Sequence, residues 1–169
     1  MRVFQEKQRF TQWWLQLINL MVVALLVYNG YQWFVLGEAS GNVGADETGV
    51  QIAVMATMLL TVGFLYSCAL ETTIDESGIA YRFFPIQLKH RKIAWKDVAQ
   101  CHTRTYRPIP EYGGWGYRTS YGKGKALNIK GNQGIQLVLT NGKKLLLGTQ
   151  KPEAAQAVIS KYCTDHEGI

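Results

Sequence analysis

The sequence predicts a two-helix transmembrane hairpin followed by a mainly β domain, in which seven antiparallel strands form a bent sheet or barrel capped by one C-terminal α-helix. Three observations carry that expectation. Two long apolar runs, 13–36 and 49–70, flank a short acidic loop at 37–48. From residue 71 onward, alternating apolar and polar residues are punctuated by Gly, Pro, Asn and Asp, the pattern of short strands and turns. After Pro152 the apolar period changes to that of a helix. The near-zero mean hydropathy is therefore an average over two unlike parts.

Residues 1–12 read as a short amphipathic lead-in. A signal peptide is the competing interpretation of a basic start before an apolar stretch. The run from Trp13 to Leu36 is too long for a signal core, however, and is bracketed by Trp13, Trp14, Trp33 and Phe34. Aromatic rings at both ends suit the interfaces of a bilayer, and a span needs about 20 residues. Gln16, Asn19, Asn29 and Gln32 lie toward the ends of this run, where amides meet the interface or bond to a neighbouring helix. Neither run carries a charged group in its interior, which argues against a transport pathway. In the second run Ala53, Thr57 and Thr61 recur every fourth residue. They form a helix-packing ridge, available to the first helix or to self-association.

Charge assigns the sidedness. The lead-in carries Arg2, Lys7 and Arg9 against Glu6, whereas the loop carries Glu38, Asp46 and Glu47 with no basic residue. Residues 71–169 hold 15 Lys/Arg and 8 Asp/Glu. Basic flanks around an acidic connecting loop follow the positive-inside rule. The expectation is a multi-pass protein of the cell (inner) membrane, with both termini cytoplasmic and the loop outside.

A cytoplasmic domain is expected over 71–163, with a tail at 164–169. No linker precedes it, which places it tight against the bilayer. Its strands read as 70–74, 79–84, 89–95, 98–106, 125–130, 134–140 and 143–149. Asp75-Glu76-Ser77-Gly78 makes the first turn and Pro85 ends the second strand. Residues 107–124, with two prolines, several glycines and four aromatics, have the composition of a loop. Asn141-Gly142 predicts a type I′ hairpin with positive φ at both central residues. Pro152 suits a first helical turn, and Ala154, Ala155, Val158, Ile159 and Tyr162 then form one apolar face.

That order, seven strands and a closing helix, is the order of a pleckstrin-homology-like (PH-like) fold. Ile93-Ala94-Trp95-Lys96-Asp97-Val98, Tyr112-Gly113-Gly114-Trp115-Gly116-Tyr117-Arg118 and Gly131-Asn132-Gln133-Gly134-Ile135 resemble segments of bacterial PH-domain membrane proteins with two spans ahead of the domain. So does Gly148-Thr149-Gln150-Lys151-Pro152. The resemblance covers about residues 1–162. It implies a fold and a membrane address, and it brings no catalytic residues or cofactor.

The chemistry-bearing residues are scattered. Three cysteines, Cys68, Cys101 and Cys163, form no CxxC and no disulfide framework. His90, His102 and His166 have no metal-ligand spacing, and Cys101-His102 on a strand would face opposite sides. No nucleophile elbow and no phosphate loop occurs. We therefore expect a non-enzyme with no metal and no cofactor. Headgroup-binding PH domains are basic around their first hairpin, whereas here that turn is acidic, with only Arg82 nearby. Lys89, Arg91, Lys92 and Lys96 form the candidate anionic-lipid face, against the alternative of a merely solvated surface. No nucleic-acid module accompanies the basic residues. Tyr112, Trp115, Tyr117, Arg118 and Tyr121 form a candidate interaction loop. The other possibility is that Trp115 and Tyr117 fold back as a lid, with Arg118 paired to Glu111. Two functions follow: a scaffold or regulator of a membrane protein complex, partnering another membrane protein or itself, and alternatively a membrane-tethered sensor of anionic lipid.

Overall fold

A computed structural model describes residues 3–163, so the tail at 164–169, His166 included, lies outside the described residues. The described residues divide into two compact units, 10–67 and a β unit made of 3–9 with 68–163.

The first unit is the helical hairpin. Helix α1 (Trp13–Tyr31) continues into a π-helical turn at Gln32–Leu36, and α2 spans Thr48–Ser67. Both helices are long and apolar enough to cross a membrane. The second ends before Leu70, because Ala69 and Leu70 already belong to a strand. Two of the amides are bonded across the unit: the Tyr66 hydroxyl donates to Gln16 Oε1 at 2.6 Å, and Ser40 donates to Asn29 Oδ1 at 2.8 Å, whereas the buried Oδ1 of Asn19 and Oε1 of Gln32 have no hydrogen-bond partner. Gln51, buried, donates to the Gly44 carbonyl at 2.7 Å and so ties the loop to α2. Ala53, Thr57 and Thr61 are exposed, whereas Val54, Met55, Met58, Val62 and Leu65 are the partly covered positions of α2. The ridge thus lies off the contact between the two helices. Its hydroxyls bond back into the helix, Thr57 to the Ala53 carbonyl and Thr61 to the Thr57 carbonyl, both at 2.8 Å.

Among the described residues the β unit has nine strands in two sheets and no closed barrel. Strands β1 (Phe4–Arg9), β2 (Ala69–Asp75), β3 (Gly78–Phe84) and β4 (Arg91–Ile93) form one sheet in that order. The other contains β5 (Val98–Thr105), β6 (Gly116–Ser120), β7 (Gly124–Asn128), β8 (Gln133–Leu139) and β9 (Lys144–Gly148), in the order β5-β8-β9-β7-β6. Two expectations change. The two extra strands are β1, inside the supposed lead-in, and β6, inside the supposed loop. The strands are also not all antiparallel, since β9 slots beside β7 in parallel.

The β1 strand runs antiparallel to β2, from Phe4 opposite Ile74 to Arg9 opposite Ala69. The hairpin is therefore inserted into the β unit between two paired strands. A second set of bonds ties β1 to the other sheet. Gln8, buried, donates to the Gly148 carbonyl at 2.7 Å, and Glu6 accepts from Thr149 Oγ1 at 2.6 Å and from the Gln150 amide at 2.8 Å. The core between the sheets is made of Leu70, Ile74, Ile79, Phe83, Leu127, Ile135, Leu137 and Leu147, each at most 2% exposed.

Helix α4 (Pro152–Cys163) packs on β1 and β2 of one sheet and on β5 and β8 of the other. Ala155, Val158 and Ile159 are buried, and Tyr162 stacks on buried Trp95 at 6.0 Å. Ala154 is exposed, off the expected face, and its neighbour Gln156 accepts from the Thr103 amide at 2.8 Å. The third strand shortens to three residues because Trp95 opens a 3₁₀ turn (Trp95–Asp97) and points its Nε1–H at the Asp75 carbonyl, 2.8 Å away. The Asn141-Gly142 hairpin is also not type I′. Among the described residues no non-glycine has positive φ; Gly142 alone takes φ 77° and donates to the Leu139 carbonyl at 2.8 Å. This is the bulged form, with glycine at the left-handed position.

Two outcomes follow. Gln8→Ala leaves the buried Gly148 carbonyl without its side-chain donor and should cost about 1–3 kcal/mol in the unfolding free energy of the full chain. Glu71 of β2 is held by Lys7 of β1 at 2.7 Å and Arg82 of β3 at 2.6 Å, and these bonds, Lys7's first, lower its pKa despite the opposing effect of burial. Its ionised form therefore contributes stability above the unfolded value, about 4.3, and that contribution is lost as pH falls through the lower folded value. A Tm series from about pH 6 to pH 3 should show an acid limb that Glu71→Gln flattens.

Candidate functional site

The two sheets leave one side of their sandwich open. The side flanked by β1, β2, β5 and β8 is covered by α4, and the edge strands β4 and β6 lie on the other side. A cleft of about 810 Å³ lies there. Its floor is apolar, built from Tyr81 of β3, Ile93 of β4, Leu127 of β7 and Leu145 of β9. Its rim is basic: Arg91 of β4, Lys125 of β7, and Lys143 and Lys144 from the β8–β9 turn.

Local geometry places each of these groups. On β4, Arg91 and Ile93 point to one side and Lys92 to the other, as alternation requires. Arg91 stands opposite Tyr81 in register. Burial raises the pKa of the Tyr81 hydroxyl, with Arg91 opposing the rise. Tyr117, Thr119 and Tyr121 alternate along β6 and just beyond it to form the wall. Tyr117 meets Phe83 edge to face at 6.3 Å, with Lys125 Nζ 6.0 Å from its ring centre. The β6–β7 corner depends on Gly124, whose φ is +82° and where any Cβ would fall 2.2 Å from the Lys144 carbonyl oxygen. Only glycine permits that approach, which seats the Lys144 backbone beside the start of β7; Lys144 alternates with Leu145 and also borders the neighbouring hollow of Arg104, Glu111 and Gln136.

The expected sites are regrouped. Of the basic face, only Arg91 lines the cleft; Lys89, Lys92 and Lys96 are exposed elsewhere on the β unit. Lys125, Lys143 and Lys144 join Arg91 although they are distant in sequence, and no local pattern marked them. The aromatic loop is divided in the same way. Its first part is a short helix, α3 (Pro108–Tyr112), which buries Tyr112 edge to face against Tyr106 at 6.1 Å. Trp115 is half-buried and donates to the Gly131 carbonyl at 3.0 Å, as a lid would. Tyr117 faces the cleft, and Tyr121 is fully exposed at its rim. Arg118 is exposed and donates to the Trp115 carbonyl at 3.1 Å rather than pairing with Glu111.

Glu111 belongs to Arg104 of β5, whose NH2 lies 2.8 Å from Glu111 Oε2, and it also accepts from the Arg107 amide at 2.7 Å. That pairing, Arg104's bond first, lowers the Glu111 pKa. Both clustered acids of the β unit are thus spent on structural partners, Glu71 on Lys7 and Arg82, Glu111 on Arg104. In the cleft the balance is different. Among the described residues no Asp or Glu lines it, and none of its four cations sits in an ion pair.

Burial pushes the Cys101 thiol well above its ordinary value and also raises Cys68, the reverse of what activates a thiolate. Among the described residues no three His, Cys, Asp or Glu side chains could hold a metal ion together. Comparison with known proteins adds no constraint: no family model matches the chain, and no curated protein matches it.

Trp115 and Tyr121 give opposite predictions. Trp115→Ala loses a side-chain hydrogen bond and half-buried packing, and should lower domain stability by about 1–2 kcal/mol. Tyr121→Ala should stay within about 0.5 kcal/mol of the parent. Chemical denaturation of both variants checks the difference.

Proposed function

We propose that this chain is a non-enzymatic, membrane-anchored sensor of anionic lipid, with the PH-like β unit on the cytoplasmic side of the bilayer. The observation that carries this reading is the basic rim around the open cleft, four cations with no lining acid. Like charges gathered at one opening repel one another and hold a positive potential that an anion relieves. Membrane anchorage is supported by the hairpin, whose apolar side chains stay largely exposed: Leu20 at 65%, Val27 at 68% and Leu60 at 73%. Such a surface is costly in water and at home among acyl chains. The orientation follows from the basic flanks and acidic loop. For a protein already anchored, attraction of about 1 kcal/mol per basic residue near an anionic surface sets how the domain presents itself rather than whether it stays at the membrane.

The alternative, a scaffold for a membrane protein complex, is favoured by one observation. Ala53, Thr57 and Thr61 are exposed, with the two hydroxyls bonded into their own helix, so another helix can approach closely there. Under that reading the full chain extracted in mild detergent elutes with a stoichiometric membrane partner, and Thr57→Leu releases it.

Lysine footprinting of the full chain in lipid nanodiscs tests the sensor. Amine labelling of Lys125, Lys143 and Lys144 should fall when phosphatidylcholine discs are replaced by discs containing phosphatidylglycerol, and should recover at high salt as the charge attraction is screened. Equal labelling in both discs rejects it.

A further inference from the structure

We propose that the cleft between β4 and β6 binds one single-chain anionic amphiphile, a fatty acid or alkyl phosphate, with the alkyl chain on the apolar floor and the headgroup on the basic rim. This deepens the sensor reading by assigning the ligand class to the same site, and it rests on that reading for the ligand's origin in the membrane.

The site has two chemically different parts in one opening. Tyr81, Ile93, Leu127 and Leu145 supply a continuous apolar floor. A sugar phosphate or inorganic anion would bind the rim and leave that floor in contact with water. A neutral hydrocarbon would cover the floor and leave the cations uncompensated. An amphiphile with one negative end meets both requirements at once. The volume, about 810 Å³, lies within the range of pockets that take a single small-molecule ligand. The opening also lies opposite α4, which closes the other side of the sandwich. A chain laid between β4 and β6 would fill the gap that a closed barrel would have filled with its own side chains.

Charge complementarity makes the headgroup contacts specific. Arg91 presents a planar fork suited to a carboxylate or phosphate, and charge-assisted hydrogen bonds of this kind are the strong ones. Lys125, Lys143 and Lys144 approach from the other sheet and present point charges. The two sheets therefore contribute to one anion from opposite sides.

The test uses the full chain in phosphatidylcholine nanodiscs and the fluorescent fatty acid dansyl-undecanoate as the probe. Saturable binding with one probe per chain is expected, displaced by dodecyl phosphate but not by glycerol phosphate or dodecanol. Partition of the probe into the disc itself is non-saturable and separates from the site. Thr119→Trp, which fills the cleft from an exposed wall position, should abolish saturable binding while leaving the melting temperature unchanged. Lys143→Glu should weaken it about tenfold. Displacement by glycerol phosphate at the same concentration as dodecyl phosphate overturns the proposal, because the floor then takes no part. So does the absence of saturable binding, or binding unaffected by Thr119→Trp. If probe binding fails while the footprint of Lys125, Lys143 and Lys144 still responds to phosphatidylglycerol, only the cleft assignment falls and the sensor reading stands. If the probe binds and the footprint does not respond, the sensor reading falls and the cleft ligand stands.

Discussion

The contacts of Glu6 and Gln8 with Gly148, Thr149 and Gln150 are the constraint on which the β unit rests. They join the first strand of the chain to the end of the last, across the two sheets and across the whole inserted hairpin. The same strand pairs with β2 through the full register from Phe4 to Arg9. One short segment thus completes an edge of the first sheet and clamps it to the second. Long-range contacts of this kind carry a large closure entropy, offset here because the partners are buried polar groups that need each other. The helical hairpin is consequently not an appendage placed ahead of a finished domain. The β unit is complete only when the chain has left it after Arg9 and returned at Cys68.

Where the unit is closed, acids and bases are matched. Glu71 bridges three strands through Lys7 and Arg82, and Glu111 fixes Arg104 beside the buried Tyr106–Tyr112 pair. Tyr106 is held in turn by Asn128, which donates to its hydroxyl at 2.9 Å, and burial pushes that hydroxyl up to about 12. These networks hold the structure together and give each of the two carboxylates a cationic partner. The open side between β4 and β6 has the opposite character, with cations gathered and no lining carboxylate.

Much of this architecture was legible. Seven of the nine strands, the two apolar helices and the closing helix carry strong local signals: alternation, length and helical period. The two missed strands were disguised for identifiable reasons. In β1 the inward position Gln8 and the clamp residue Glu6 are polar, because their role is to hydrogen-bond β9 and the residues after it rather than to fill a core. The apolar alternation that marks a strand is therefore absent. In β6 the flanking glycines Gly113, Gly114, Gly116, Gly122 and Gly124 read as loop, and only pairing with β7 makes it an edge strand. Backbone partners at a sheet edge leave little trace in side-chain pattern.

The same limit governs the candidate site. Composition and charge patterning alone determined that this chain has two membrane-length apolar helices, a basic β-rich part and no recognisable catalytic motif, because those properties are summed over local residues. Which cations act together was decided only by the tertiary structure. Arg91 stands apart from its neighbour Lys92 by strand alternation, and it meets Lys125, Lys143 and Lys144 because β9 inserts beside β7 and the Gly142 turn brings the next two lysines to the same opening. Sheet order and strand facing are non-local, and they turned scattered charges into one basic rim over an apolar floor.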